Sequence, residues 1–389
     1  MPKPLIALVD GEHHPPAVRE ALDRLDPLAT VFCGGEEKLS PGPLEGHYGR
    51  PVETDPEAAL RRLAPEAKAV VDLADEPALP ASAKLRLAAL ALHLGLRFES
   101  PGLQLDPPRY EPVDFGGPKL AVIGTGKRTG KTAVAGHWAS LLRERDPVIV
   151  CMGRGGPREP ELIEPPVTLD DLLALGRAGR HAASDHLEDA ALAGVRTVGC
   201  RRVGGGLSGA PAYSNFAAGA ALAAGLQPGV LIFEGSGASI PPVEVDRTVC
   251  LVGAGAGEPL ADYHLLRADL VLAPEGAAAP PEALRFALRP EPVEPVPERA
   301  RVAAFTTGAP VDAVVASTAL ARRRELERDL DRAVAEGCEV WLTELKAAAI
   351  DTVAERAARE GARLIFLRNR PVGLDGDLDA ALVRLCADA

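Results

Sequence analysis

Short apolar runs alternate with Ala/Leu/Arg-rich segments along almost the whole chain, a pattern that predicts βα units around parallel sheets. LIALV, TVFC and AVVDLA read as strands. VREALDRL, PEAALRRL and SAKLRLAALALHLGL read as helices. LDPPRYEPVDFGGP crowds prolines and glycines that neither a helix nor a central strand propagates, so it reads as a linker. Beyond it KLAVIG, PVIVCM, VRTVGC, GVLIFE, RTVCLVG and ADLVLAPE read as strands, and RVAAFTT, CEVWLTE and ARLIFLRN follow them. STALARRRELERDLDRAVAEG is patterned as a charged amphipathic helix. The Pro- and Ala-rich residues 274–301 read as a linker to a C-terminal lobe or as a surface excursion within one large sheet.

The run KLAVIG ends in GTGKRTGKTAVAG, and a strand, a glycine-rich loop, Gly-Lys-Thr and a helix in that order are what phosphate binding requires. Gly124, Gly126, Thr129, Gly130, Lys131, Thr132 and Ala133 are the expected nucleotide contacts. Lys131 reaches the outer phosphates and the Thr132 hydroxyl holds Mg²⁺. A standard loop carries glycine where this one carries Thr125. That threonine must therefore adopt a conformation easier for glycine, unless the loop is one residue longer. Lys127 and Arg128 add cations suited to a transferring phosphoryl group. GVLIFEGSG delivers Glu234 to a strand end, where it can hold Mg²⁺ or orient a nucleophile. No NKxD-type tetrapeptide reads guanine, so ATP is expected over GTP.

This loop gives the fold class: an α/β chain with a P-loop NTPase-type parallel-sheet domain over 118–300. A Rossmann-like α/β domain is expected over 1–117, and a C-terminal α/β extension over 301–389 that either stands apart or joins the same sheet. A length of 389 residues accommodates these. The net charge of −12 argues against nonspecific nucleic-acid binding, though a small anion fits where cations cluster. No apolar run approaches a membrane span and the N-terminus lacks a signal-peptide core, so a cytoplasmic protein is expected. Six cysteines occur singly, without a CxxC pair, and read as reduced core residues. The richness in Ala, Arg, Gly and Pro fits a GC-rich genome, and a thermophile is expected.

Further clusters follow predicted strands. CMGRGGPREPE carries Arg154, and VGCRRVGGGLSG carries Arg201 and Arg202. Arginine in a glycine-rich loop makes a second anion site or a solvated surface loop. SDHLEDAALAG holds Asp185, His186, Glu188 and Asp189 at a helix start, for capping or for acid–base and Mg²⁺ work. DGEHHPP places Asp10, Glu12, His13 and His14 after the first strand, where open α/β sheets bind ligands. Lys346, Arg368 and Asn369 end C-terminal strands and could reach the same site.

The combination of GTGKRTGKTAV, SDHLEDA, the VGGG stretch, EGSGASIPP, TELKAAAIDT and the DGEHHPP start resembles the cyclic 2,3-diphosphoglycerate synthetase family over nearly the whole chain. The resemblance implies that ATP drives 2,3-diphosphoglycerate to its cyclic form with release of ADP and phosphate. It implies substrate contacts at Asp10, Glu12, His13, His14, Arg154, Arg201, Arg202 and Lys346. Lys127, Arg128, Lys131, Glu234, His186 and Asp185 are the expected catalytic groups, and Thr132, Glu234 and Asp189 the Mg²⁺ ligands. A homodimer is expected. The rival readings are a 2-phosphoglycerate kinase, an ATP-dependent ligase similar to dethiobiotin synthetase, and a nucleotide switch that binds a partner protein.

Overall fold

The computed structural model of the chain describes residues 4–253, 260–308 and 310–389. They form two compact units. One is built of residues 4–109 together with Leu207–Gly209 and residues 260–267, and the other of the remaining described residues from Tyr110 onward.

The first unit runs β1 (Leu5–Val9), α1 (Pro15–Leu25), β2 (Ala29–Phe32), α2 (Leu44–Tyr48), β3 (Val52–Glu53), α3 (Pro56–Leu63), β4 (Ala69–Asp72), α4 (Ala81–His93), β5 (Arg97–Ser100) and β6 (Leu103–Leu105). Its sheet has the order β3-β2-β1-β4-β5-β6 and is parallel except for the β5–β6 hairpin. The order reverses between β1 and β4, as in Rossmann-like sheets. The apolar run LIALV becomes β1 because both its faces are covered, and Ile6, Ala7, Leu8 and Val9 are fully buried.

The second unit opens with β7 (Lys119–Gly124), α5 (Lys131–Leu141), β8 (Pro147–Gly153), β9 (Glu161–Ile163), α6 (Leu169–Arg177), α7 (Asp185–Leu192), β10 (Arg196–Val203), β11 (Tyr213–Ser214), α8 (Phe216–Gly225), β12 (Val230–Glu234) and β13 (Arg247–Leu251). The short helix α9 (Ala261–Leu266) packs on α4 and belongs to the first unit. The second unit resumes with β14 (Leu270–Pro274), β15 (Leu284–Pro292), β16 (Val302–Phe305), β17 (Val315–Ser317), α10 (Arg323–Ala335) and β18 (Val340–Glu344). It ends with a π-helical turn at Ala349–Ala354, α11 (Glu355–Glu360), β19 (Arg363–Gly373) and α12 (Leu378–Ala387).

One sheet carries all thirteen strands among the described residues of this unit, in the order β11-β10-β8-β12-β7-β13-β14-β15-β19-β18-β16-β17, with β9 on β10. Residues after Arg301 therefore do not form a sheet of their own. The join is β15, which pairs parallel with β14 over Leu284–Phe286 and antiparallel with β19 over Phe286–Pro292. The stretch read from sequence as a linker or excursion thus holds a strand. Past Phe286 that strand has only β19 beside it, and Pro290 and Pro292 are tolerated where no second ladder needs their missing N–H groups.

The central strands are covered on both faces, which is why their sequences are unbroken apolar runs. Val122, Ile149, Ile232, Val249 and Leu251 share a core with α5 and α12. Trp138, fully buried on α5, donates its indole N–H to the Leu382 carbonyl at 2.9 Å, so the last helix is pinned to the helix that follows the glycine-rich loop. No helix among the described residues is long and apolar enough to cross a membrane.

Candidate active site

The loop between β7 and α5 is shaped by close contacts. A Cβ on Gly124 would lie 2.6 Å from the Thr129 hydroxyl and 3.1 Å from the Leu251 carbonyl, so only glycine fits there. Gly130 takes φ 96° and Arg128 φ 57°, and these two residues turn the chain into the helix. Thr125 does not have positive φ, contrary to the expectation of strain. Its N–H donates to the Leu251 carbonyl at 3.0 Å and its hydroxyl accepts from the Gly253 N–H at 2.9 Å. A side chain at this position anchors the loop to the end of β13.

Lys131, the first residue of α5, is 7% exposed and folds under the loop. Its ammonium donates to the Gly126 carbonyl at 2.9 Å and to the Thr129 hydroxyl at 3.2 Å. Burial pulls it down to about 8, against the opposing pull of Glu234 and Asp185. The Thr132 hydroxyl donates to Glu234 Oε1 at 2.6 Å. Glu234 Oε2 is buried with no hydrogen-bond partner. Burial, and after it the charge of Asp185, push this carboxyl up to about 8.

Thr132 and Glu234 are a hard oxygen pair with one oxygen lacking a partner, and they fit Mg²⁺. Asp189 lies close to Glu234, 3% exposed, and its Oδ2 accepts from the Cys151 thiol at 3.4 Å. Burial pushes both the Asp189 carboxyl and that thiol well above their usual ranges. Cys151, Asp189 and Glu234 offer atoms within 4.8 Å of one another. A thiol is a soft donor for a hard dication, so within this group the carboxylates of Asp189 and Glu234 are the ones suited to Mg²⁺.

A cleft of about 650 Å³ opens over the loop. Lys127, Arg128, Lys131, Arg154 and Lys346 line it, against the acids Asp185, Glu234 and Glu344. Among the described residues, Lys127, Arg128, Arg154 and Asp185 have no hydrogen-bond or ion-pair partner within the chain. Lys346 lies 3.2 Å from Glu188 Oε1. Burial lowers the Lys346 ammonium, but the carboxylates of Glu188 and Glu344 outweigh it and hold the group well above its ordinary value.

Other expected groups lie outside the cleft. Arg201 spends its guanidinium on backbone, donating from Nε to the carbonyls of Pro157 at 2.7 Å and Gly156 at 3.1 Å. Arg202, 8% exposed, donates to the carbonyls of Gly204 at 2.8 Å and Ser236 at 2.7 Å. Neither arginine lines the cleft, both hold backbone carbonyls, and Arg202 Nε is buried without a hydrogen-bond partner among the described residues. His186 turns away from Asp185 on α7, and its ring lies flat on Gly199, where a Cβ would come within 2.7 Å of it. Burial pulls this imidazole down to about 4, and the ring is not among the groups that line the cleft.

The native state refuses a proton on His186 that the unfolded chain accepts, so stability is complete above about pH 6.5 and is lost as pH falls toward 4. Between pH 7 and pH 5 this site costs the wild type about 2 kcal/mol. His186→Phe removes that part of the slope. Urea unfolding of both proteins at the two pH values should show the variant losing less by about that amount. Equal losses would refute the assignment.

In the first unit, Asp10 ends β1 fully buried. Its Oδ1 accepts from the N–H groups of Glu12 and His13 at 3.1 Å and from the His13 ring at 2.8 Å, and its Oδ2 accepts from the Asp75 N–H at 2.5 Å. Glu12 pairs with Lys38, and His14 occupies the N-cap of α1 without a side-chain bond. Asp10 thus ties the loop after β1 to the segment that follows β4.

Lys131 buried beneath the loop, with Thr132 tied to an acid on the neighbouring strand β12, puts the second unit in the class of P-loop nucleotide-binding domains. Comparison with known proteins narrows the class. Residues 4–106 match the N-terminal domain of cyclic 2,3-diphosphoglycerate synthetase, residues 119–271 its P-loop domain and residues 298–370 its C-terminal domain. The cyclic 2,3-diphosphoglycerate synthetase of Rubrobacter xylanophilus is 42% identical over 98% of this chain and 97% of its own. Those of Thermococcus onnurineus (38%, 98% of each chain) and Methanothermobacter thermautotrophicus (36%, 97% of this chain and 95% of its own) are also similar. The chain belongs to the cyclic 2,3-diphosphoglycerate synthetase family.

Several lining residues carried no signal strong enough to be assigned from sequence: Thr307, Gly308, Leu288 and Glu344. Glu344 had one available. VWLTE repeats the pattern of VLIFE, an apolar run that delivers an acid to a strand end.

Proposed function

We propose that this chain uses ATP to close 2,3-diphosphoglycerate into its cyclic diphosphate, releasing ADP and phosphate. One substrate phosphate attacks the γ-phosphorus of ATP, and ADP leaves. The second substrate phosphate then attacks the activated phosphorus, and inorganic phosphate leaves as the ring closes. Both steps exchange bonds at phosphorus, so no enzyme nucleophile is required. The difficulty is to hold many negative charges together in reacting order.

The observation that carries this reading is the set of cations left without partners. Lys127, Arg128 and Arg154 face the cleft with no ion pair of their own, and Lys131 lies beneath the loop. The loop and Lys131 would bind the ATP phosphates, and Arg154 and Lys346 the acceptor. Asp185, a free carboxylate at the first turn of α7, is suited to orient the attacking group. Mg²⁺ at Thr132 and Glu234 would supply charge neutralisation at the transferred phosphoryl group. Asp10, Glu12, His13 and His14 belong to this reading only as residues that shape the first loop of their own unit. A cytoplasmic homodimer is the setting it expects.

Phosphorus NMR of the purified chain with ATP, Mg²⁺ and 2,3-diphosphoglycerate tests it. Pyrophosphate-type resonances should appear together with ADP and free phosphate. A new phosphomonoester formed from 2-phosphoglycerate instead would make the chain a kinase. Arg154→Ala should raise KM for 2,3-diphosphoglycerate about 10- to 100-fold, the worth of a charge-assisted contact, and change KM for ATP by less than about 3-fold. Steady-state kinetics with each substrate varied in turn decides this. An equal effect on both would place Arg154 on the nucleotide.

A further inference from the structure

Residues from three strand regions of the second unit meet at one carboxylate. Glu344 closes β18, is 6% exposed, and has both oxygens engaged. Oε2 accepts from the Thr307 backbone N–H at 2.7 Å and from the Thr307 hydroxyl at 2.6 Å, and Oε1 accepts from the Asn369 side-chain amide at 2.7 Å. Thr307 lies just beyond β16 and Asn369 lies within β19. A single side chain therefore ties together segments 37 and 25 residues away from it.

A buried carboxylate is an odd choice for this position. It costs desolvation, and it stands in the wall of a cleft that must take up polyanions. If it served the fold alone, an apolar side chain would join the strand ends more cheaply. What the carboxylate does that an apolar group cannot is fix the direction of polar groups. It takes up the Thr307 N–H and hydroxyl and one N–H of Asn369. Asn369 is thereby held at the cleft wall, and the ammonium of Lys346, two residues further along the chain from Glu344, is held there by Glu188 at 3.2 Å. Thr307, Gly308, Lys346 and Asn369 line that cleft together with Glu344 itself. All five belong to the half of the sheet made of β16, β18 and β19, away from the P-loop strand β7.

We infer that Glu344 is a positioning residue for the acceptor: it orients Thr307 and Asn369 in the wall that receives the anionic end of 2,3-diphosphoglycerate, and it takes no part in binding ATP. The inference rests on the cyclase reading above.

The test measures KM for each substrate, kcat and the thermal midpoint in the full-length wild type and three variants. Glu344→Ala should raise KM for 2,3-diphosphoglycerate about 10-fold or more, because at least two oriented groups lose their partner. KM for ATP should stay within about 2-fold. Glu344→Gln should recover most of the loss. Its carbonyl can accept from Thr307, and Asn369 can turn its amide oxygen toward the new NH₂ group. Asn369→Ala removes one oriented group while the carboxylate keeps both its bonds to Thr307, and it should show the same acceptor-selective rise. It carries the test if Glu344→Ala does not fold.

Equal rises in both KM values overturn the inference, as does a lowered thermal midpoint with both KM values unchanged, or Glu344→Gln as impaired as Glu344→Ala. Wild-type turnover is read first. If the wild type makes no cyclic product, the cyclase reading fails and this inference with it. If the wild type makes product but the variants lose selectivity for neither substrate, only the inference fails.

Discussion

Lys131→Met is expected to lower kcat by on the order of 10³-fold or more, the scale at which preorganised charge stabilises phosphoryl transfer. Methionine nearly matches the length of lysine, so the variant removes the charge and little volume. Among the described residues the side chain has no hydrogen-bond partner outside its own loop: its ammonium bonds Gly126 and Thr129. Those contacts hold a cation in a site where burial disfavours it. Such an arrangement suits a group waiting for an anion, because the arriving phosphates repay the burial. The fold of the variant should therefore survive, with a thermal midpoint in the absence of nucleotide no lower than that of the wild type. Product formation by phosphorus NMR, and the thermal shift on adding ATP, measure the two effects. A variant that kept a tenth of wild-type kcat would mean that Lys131 braces the loop and does not act on the phosphates.

The elements legible in the sequence are those that the sheet buries on both faces. KLAVIG coincides with β7 because an unbroken apolar run between a proline and a glycine has few other places to go. The same holds for GVLIFE and β12, whose five residues are all buried. β15 was not legible. Its prolines argue against a strand, and past Phe286 it is the antiparallel partner β19 that makes one there, with Gly373 opposite Phe286 and Leu367 opposite Pro292. Sequence pattern reports local periodicity and is silent about which distant run will cover an edge.

The site divides in the same way. The loop residues and Glu234 were legible because their chemistry depends on spacing along one strand–loop–helix unit. The backbone contacts of Arg201 and Arg202 were not legible, because an arginine after a strand looks the same whether it faces an anion or a carbonyl. The carbonyls of Gly156, Pro157 and Ser236 that hold them lie 34 to 45 residues away. Asp185 and His186 are adjacent in sequence but point about 100° apart on α7, so one reaches the cleft and the other the core. Glu344 depends on Thr307 and Asn369, and no local signal joins the three.

Glu234→Ala should be as damaging as the loss of Lys131, with kcat down by on the order of 10³-fold, for a different reason. Glu234 holds the buried end of an oxygen pair with Thr132, and its second oxygen has no partner in the protein. If that pair receives Mg²⁺, ATP affinity in the wild type should rise when Mg²⁺ is added. Glu234→Ala should abolish the rise while leaving Mg²⁺-free ATP binding nearly unchanged, because the loop itself is intact. Thr132→Val should do the same. The two residues bond each other at 2.6 Å and would act on one ion, so their effects should not add: the double variant should be little worse than either single one. Nucleotide titrations with and without Mg²⁺ across this four-protein cycle measure the coupling. Additive losses would separate the two residues into independent roles, and a Mg²⁺ response that survived in Glu234→Ala would move the cation elsewhere, with Asp185 the remaining free carboxylate in the cleft.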